Sequence, residues 1–278
     1  MLGSAIIDVL SENPKYTVFG TVGSSNSKKF FKPRIARNLL VGYNVLDYED
    51  LATIFDKVKP VLVINCISLK KLLFKKNDPL LMISIYSLLP HQLSRLCKET
   101  GARLIQISTD GVFSGKKGNY RESDPKDSRD MYGMTKSLGE VEDKHAITIR
   151  TSIIGHEFNS KNGLLEWFLS QNEECECFND VIFSGFPTVV LAEVIRDFII
   201  PNKNLNGIYH VASKPISKCN LLKLIMKEYR LKIKLIPNNK TRIDRSLNAN
   251  RFKLDTGYVP PDWKNLIKSM YSYRQKFI

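Results

Sequence analysis

Short apolar runs bounded by turn residues alternate along the chain with longer stretches in which apolar positions recur every three or four residues. That pattern is the signature of strands interleaved with helices. Residues 16–22, 60–65, 102–107, 146–152 and 207–213 read as strands, and 232–237 as a shorter one. Two of them, 60–65 and 102–107, are apolar without alternation, as strands covered on both faces are. Helical periodicity marks residues 5–10, 48–57, 80–97, the stretch from Met131 onward, 162–169, 190–200, 217–229 and the basic C-terminal tail. Strand–helix alternation of this kind predicts an α/β chain on a doubly wound parallel sheet, with a smaller part built mostly from the C-terminal third.

Two stretches carry chemistry. Strand 102–107 runs into Ser108, Thr109 and Asp110, and the carboxyl end of a parallel strand is where open α/β sheets bind ligands. Tyr132 and Lys136 are one helical turn apart, which places both side chains on one face. A free phenol titrates near ~10, and a neighbouring ammonium pulls that value down. With the Thr109 hydroxyl to hold a substrate oxygen, the three form a proton-transfer site for a carbonyl/alcohol pair.

Charge and cysteine content narrow the class. Lys+Arg of 42 against Asp+Glu of 28 gives +14, which suits phosphorylated ligands or nucleic acid. The lysines are scattered and no nucleic-acid-binding signature accompanies them, so a solvated basic surface is expected and no nucleic-acid partner. The densest basic cluster is Lys70, Lys71, Lys75 and Lys76 around Leu72–Phe74, expected near the cofactor side. Five cysteines without framework spacing predict reduced thiols and a cytoplasmic protein. No basic n-region precedes the first apolar residues, so no secretory signal is expected. The longest apolar run, residues 79–90, is short and proline-bounded, so no membrane insertion is expected. No metal site is expected.

Ser108-Thr109-Asp110-x-Val112-Phe113-x-Gly115 followed by Tyr132-x-x-x-Lys136 resembles the extended short-chain dehydrogenase/reductases, and among them the dTDP-4-dehydrorhamnose reductase-like group. The resemblance runs from Met1 to about Lys268. It implies a Rossmann-like NADP-binding domain over residues 1–157 and a mainly substrate-binding domain over 158–278, with about 188–213 returning to the sheet. Such chains open on a strand and a Gly-x-x-Gly-x-x-Gly turn; Gly3 fits the last glycine, and the resemblance therefore implies a chain short at its N-terminus. Cofactor contacts fall on Gly3, Ser24, Ser25, Asp47, Cys66, Ser68 and Lys136. Asp47 is equally suited to cap the helix it precedes. No acid lies between Gly20 and Phe31, where Lys28 and Lys29 join the two serines, so NADP(H) is favoured over NAD(H).

The same resemblance makes Tyr132 the proton donor, Lys136 its electrostatic helper and ribose ligand, and Thr109 the holder of the sugar oxygen. Ser108 stands in for Thr109, Asp110 orients the loop, Trp167 stacks on the substrate, and Arg245 and Arg251 grip its diphosphate. The implied activity is NADPH-dependent reduction of a 4-keto nucleotide-activated deoxysugar in surface polysaccharide synthesis, and a homodimer is allowed. Two alternatives stay open: an epimerase or dehydratase of the same superfamily, and a non-catalytic nucleotide-binding subunit. Gly23, Ser68 and Tyr86 depart from the arginine, small residue and asparagine that relatives carry.

Overall fold

A computed structural model describes residues 1–69, 78–157 and 163–275. The basic cluster at Lys70–Lys76 and the start of the helix expected from residue 162 lie outside them. Helix α1 (Leu2–Ser11) is followed by β1 (Gly20–Val22), the short α2 (Pro33–Ala36) and β2 (Leu39–Val41). Helix α3 (Tyr48–Val58) leads to β3 (Leu62–Asn65). Pro79–Met82, a π-helical stretch Ile83–Leu88 and Leu89–Thr100 run on as one long helix, α4, which Gly101 ends in the left-handed conformation. Strand β4 (Arg103–Thr109), helix α5 (Met131–Leu138) and β5 (Ala146–Thr151) complete the region that positions the candidate site.

The central sheet is parallel, in the order β6-β5-β4-β3, with β6 spanning Gly207–His210. β4 therefore has a strand on each side and helices above and below, and its apolar residues Leu104 and Ile105 are inaccessible to solvent. β1 and β2 form a separate parallel pair. Residues 16–19, expected as the start of that strand, stay outside it; Tyr16 and Val18 pack against the core, and the Val18 carbonyl accepts from Asn38 Nδ2. β3 also differs from the expectation of a buried strand. Leu62, Val63 and Ile64 are only half-buried, because among the described residues β4 alone hydrogen-bonds β3 and its other edge is open.

One hydrophobic cluster gathers Leu2, Ile6 and Val9 of α1, Ile147 and Ile149 of β5, and Val190 to Ile199 of the helix beginning at Thr188. It continues into Leu221, Ile225, Trp263 and Met270 of two C-terminal helices, Lys218–Glu228 and Trp263–Gln275. The C-terminal part adds a parallel pair, Glu174–Phe178 with Lys234–Asn238. One expectation is corrected here. Cys66, Cys97 and Cys175 are free thiols, but Cys177 and Cys219 form a disulfide. Packing of the helix Lys218–Glu228 on the strand Glu174–Phe178 brings together two cysteines 42 residues apart, a proximity that spacing alone does not reveal.

Candidate active site

β4 delivers Thr109 to the carboxyl edge of the sheet. Alternation along a strand sends neighbouring side chains to opposite faces, and this separates Ser108 from Thr109. The Ser108 hydroxyl donates to Glu140 Oε1 at 2.8 Å and is buried in a polar network; it does not stand beside Thr109 as expected. The same carboxylate receives Arg150 through Nε and Nη2, both at 2.8 Å, and Arg150 is 1% exposed. Arg150 Nη1 also meets His210 and the Glu122 carbonyl. Glu140, which the sequence reading missed, is thus the anchor of the strand end. Its one visible signal is its place four residues beyond Lys136.

Asp130 caps α5 by accepting from the Gly133 amide at 2.8 Å, which fixes the helix start and aims Tyr132 at β4. Gly133 and Gly139 are required by close approach. A Cβ at Gly133 would collide with Ser128 and the Gly111 carbonyl, and one at Gly139 with the Tyr86 carbonyl. Tyr132 packs beside Thr109 across Gly111, and Thr109 Oγ1 accepts from Gly111 N at 3.0 Å and donates to Asp110 Oδ1 at 3.2 Å. Thr109 and Tyr132 are therefore brought together as the sequence implies.

Lys136 lies on the same helical face, but its electrostatics correct the expectation. Its Nζ donates to the Ile107 carbonyl at 2.6 Å and sits 5.5 Å from the Tyr86 ring centroid. Burial lowers its pKa to about 8, against the raising influence of Glu140 and Cys66. Burial pushes the Tyr132 phenol up to about 12, opposed by the Thr109 hydrogen bond and reinforced by Tyr86, Asp110 and Asp130. Burial outweighs any help from the ammonium and sets the direction of the phenol's shift. At neutral pH both groups keep their protons.

Asp110 is drawn to the same place. Burial raises its carboxyl to about 6, in spite of Arg245, the Thr109 hydroxyl, Lys218 and Ser152. Arg245 packs against Gly115, approaches Asp130 at 3.7 Å and leaves its buried Nε without an acceptor. Lys218, the first residue of its helix, was missed; nothing in its sequence neighbourhood marks it, and only the fold carries it to Asp110. Arg251 does not join them. It donates to the Ile208 carbonyl on the edge strand β6 and lies 4.3 Å from the Tyr209 ring centroid. Its guanidinium is engaged at that sheet edge. Trp167 is 39% exposed on the helix Leu164–Leu169, whose Leu165 and Phe168 face the core.

Of the expected cofactor residues, Ser24 and Ser25 follow β1, Asp47 follows β2, Cys66 and Ser68 follow β3, and Gly3 lies in α1. Gly3, in the first turn of α1, faces Cys66, where an added Cβ would make an ordinary 3.5 Å contact. The Cys66 thiol is pushed up to about 12 by burial, so it is a neutral packing group. Ser24 and Ser25 are exposed on the turn after β1, beside Lys28 and Lys29. Asp47 caps α3 through the Glu49 amide at 2.9 Å, the capping role of its two. The Ser68 hydroxyl meets the Tyr86 hydroxyl at 3.1 Å.

A parallel sheet with a Thr–Tyr hydroxyl pair at its carboxyl edge and a lysine one turn on defines the extended short-chain dehydrogenase/reductase class. The chain belongs to the RmlD substrate binding domain family, whose sequence model matches residues 2–275. It is similar to the dTDP-4-dehydrorhamnose reductase of Streptomyces griseus, 32% identical over 46% of this chain and 44% of that protein. It is also similar to the spore coat polysaccharide biosynthesis protein SpsK of Bacillus subtilis (strain 168), 33% identical over 63% and 65%. A third relative is the methionine adenosyltransferase 2 subunit beta of Danio rerio, 26% identical over 64% and 58%. The matched stretches span less than two thirds of these relatives' own lengths. Among solved structures, the dTDP-4-dehydrorhamnose reductase of Bacillus anthracis str. Ames in complex with NADP superposes with a TM-score of 0.76, at 19% identity over 92% of this chain and 98% of that one. WbmG of Bordetella bronchiseptica in complex with NAD and UDP gives 0.79, at 16% identity over 100% and 92%. Among the described residues no helix is long and apolar enough to cross a membrane.

Proposed function

We propose that this chain is an NADPH-dependent reductase of a 4-keto nucleotide-activated deoxysugar, acting in the cytoplasm in surface polysaccharide synthesis. The observation that carries the reading is the meeting of the Thr109 and Tyr132 side chains at the carboxyl end of β4. The residues present suit a phosphorylated dinucleotide. A helix amino end stands against Cys66, and hydroxyls and ammonium groups, with no carboxylate among them, follow β1. That polar set favours a 2′-phosphate over a bare ribose. When bound, NADPH supplies the hydride.

The chain's own residues then handle the proton. Thr109 holds the sugar carbonyl oxygen. Tyr132, protonated at neutral pH, donates to the alkoxide as negative charge develops there. Lys136, charged below about pH 8, offers its ammonium to the same locus once a ribose hydroxyl competes for the Ile107 carbonyl. Arg245 and Lys218 supply positive charge beside Asp110 for the substrate's anionic part.

Tyr132→Phe tests this. It should lower turnover of a 4-keto nucleotide sugar by at least the ~10²–10⁴ that positioned proton transfer contributes, with unchanged circular dichroism. Full activity in that variant refutes the reading. The second reading with an observation of its own is dehydration, which the buried, partly protonated Asp110 next to Thr109 supports. Analysis of the product separates the two.

A further inference from the structure

Tyr86 is 2% exposed and sits in the π-helical stretch Ile83–Leu88, a local widening that proteins use disproportionately at functional sites. Its ring touches both members of the proton-transfer pair. The centroid lies 5.4 Å from that of Tyr132 in an edge-on arrangement, and 5.5 Å from Lys136 Nζ, within cation–π range. Its hydroxyl points the other way, to the carboxyl end of β3: it accepts from the Leu69 amide at 2.9 Å and meets Ser68 Oγ at 3.1 Å. The backbone around it is clamped to α5, since Ser87 Oγ donates to the Thr135 carbonyl at 2.9 Å and Gly139 packs against the Tyr86 carbonyl. One side chain thus joins the strand end expected to face the cofactor with the helix that carries the acid.

We propose that Tyr86 is a positioning residue that couples the carboxyl end of β3 to the Tyr132/Lys136 pair. The ring holds the Lys136 ammonium against the Ile107 carbonyl and fixes the edge orientation of Tyr132. The hydroxyl holds the Ser68–Leu69 turn in register with them. Movement of that turn on ligand binding is transmitted to Lys136 through one rigid aromatic plane. The functional weight of this coupling rests on the reductase reading above, but its physical content does not.

Two variants divide the side chain. Tyr86→Phe keeps the ring and removes the hydroxyl; hydrogen exchange at the Leu69 amide should accelerate about tenfold, the equivalent of one net hydrogen bond. NADPH should bind about tenfold more weakly to the same variant. Tyr86→Leu removes the ring; the ¹³Cε titration midpoint of Lys136 should fall by about one pH unit, the scale of a desolvated cation–π contact. In Tyr86→Phe that midpoint should stay at the wild-type value. Unaltered Leu69 exchange in Tyr86→Phe overturns the proposal, as does a Lys136 midpoint that holds or rises in Tyr86→Leu. If Tyr86→Leu does not fold, the exchange measurement on Tyr86→Phe decides alone. If wild-type chain fails to bind NADPH while both spectroscopic effects are present, the reductase reading falls and the coupling stands.

Discussion

Lys136 should destabilise the folded chain that depends on it, and replacing it with methionine should reveal by how much. The side chain is 7% exposed, and burial takes its pKa from 10.5 to about 8. At 1.36 kcal/mol per pH unit, that displacement corresponds to about 3 kcal/mol of preference for the neutral amine in the folded state. The unfolded chain has no such preference. Below about pH 8 folded Lys136 is held charged against that preference, so the whole penalty is present at pH 7. Between about 8 and 10.5 the unfolded chain binds a proton that the folded chain has shed, and wild-type stability rises with pH relative to a variant without the amine. Lys136→Met keeps the stem and its contact with the Tyr86 ring while removing the charge. It also takes the ammonium from the Ile107 carbonyl, a loss of about 1 kcal/mol. The variant should therefore be about 2 kcal/mol more stable than wild type in urea denaturation at pH 7, and about 1 kcal/mol less stable above about pH 10.5, where only the lost hydrogen bond remains. Turnover should be lost. A variant less stable than wild type at pH 7, with a gap that does not change with pH, refutes the reasoning.

The remaining predictions concern neighbouring carboxylates. Glu140→Gln leaves the buried Arg150 guanidinium without its counter-charge and should cost about 3–5 kcal/mol in denaturant unfolding; a loss under 1 kcal/mol would show that His210 and the Glu122 carbonyl suffice. Asp110 has a folded-state pKa near 6, above its usual 3.8. The folded chain thus binds the extra proton between those values, and stability falls as pH rises through that window. Asp110→Asn should flatten the fall, measured as Tm against pH from about 3.5 to 6.5; an unchanged profile refutes the assignment.

Much of this site was legible in the chain. Thr109 at the end of an apolar strand and Tyr132 one turn before Lys136 are local relations, set by the period of a strand and of a helix, and both appear in the structure. The parallel sheet and the cap at Asp47 are local in the same sense. What the sequence left undecided are distances between groups far apart along the chain. Strand alternation turns Ser108 toward Glu140, a carboxylate 32 residues on. Arg245 and Arg251 are near in sequence, yet one reaches Asp110 and the other the edge strand β6. Lys218 and the Cys177–Cys219 pair meet their partners only because a C-terminal helix docks where it does. The protonation states follow suit, because desolvation depends on everything packed around a group: residue type and spacing nominated the phenol and the ammonium, and burial set their pKa values.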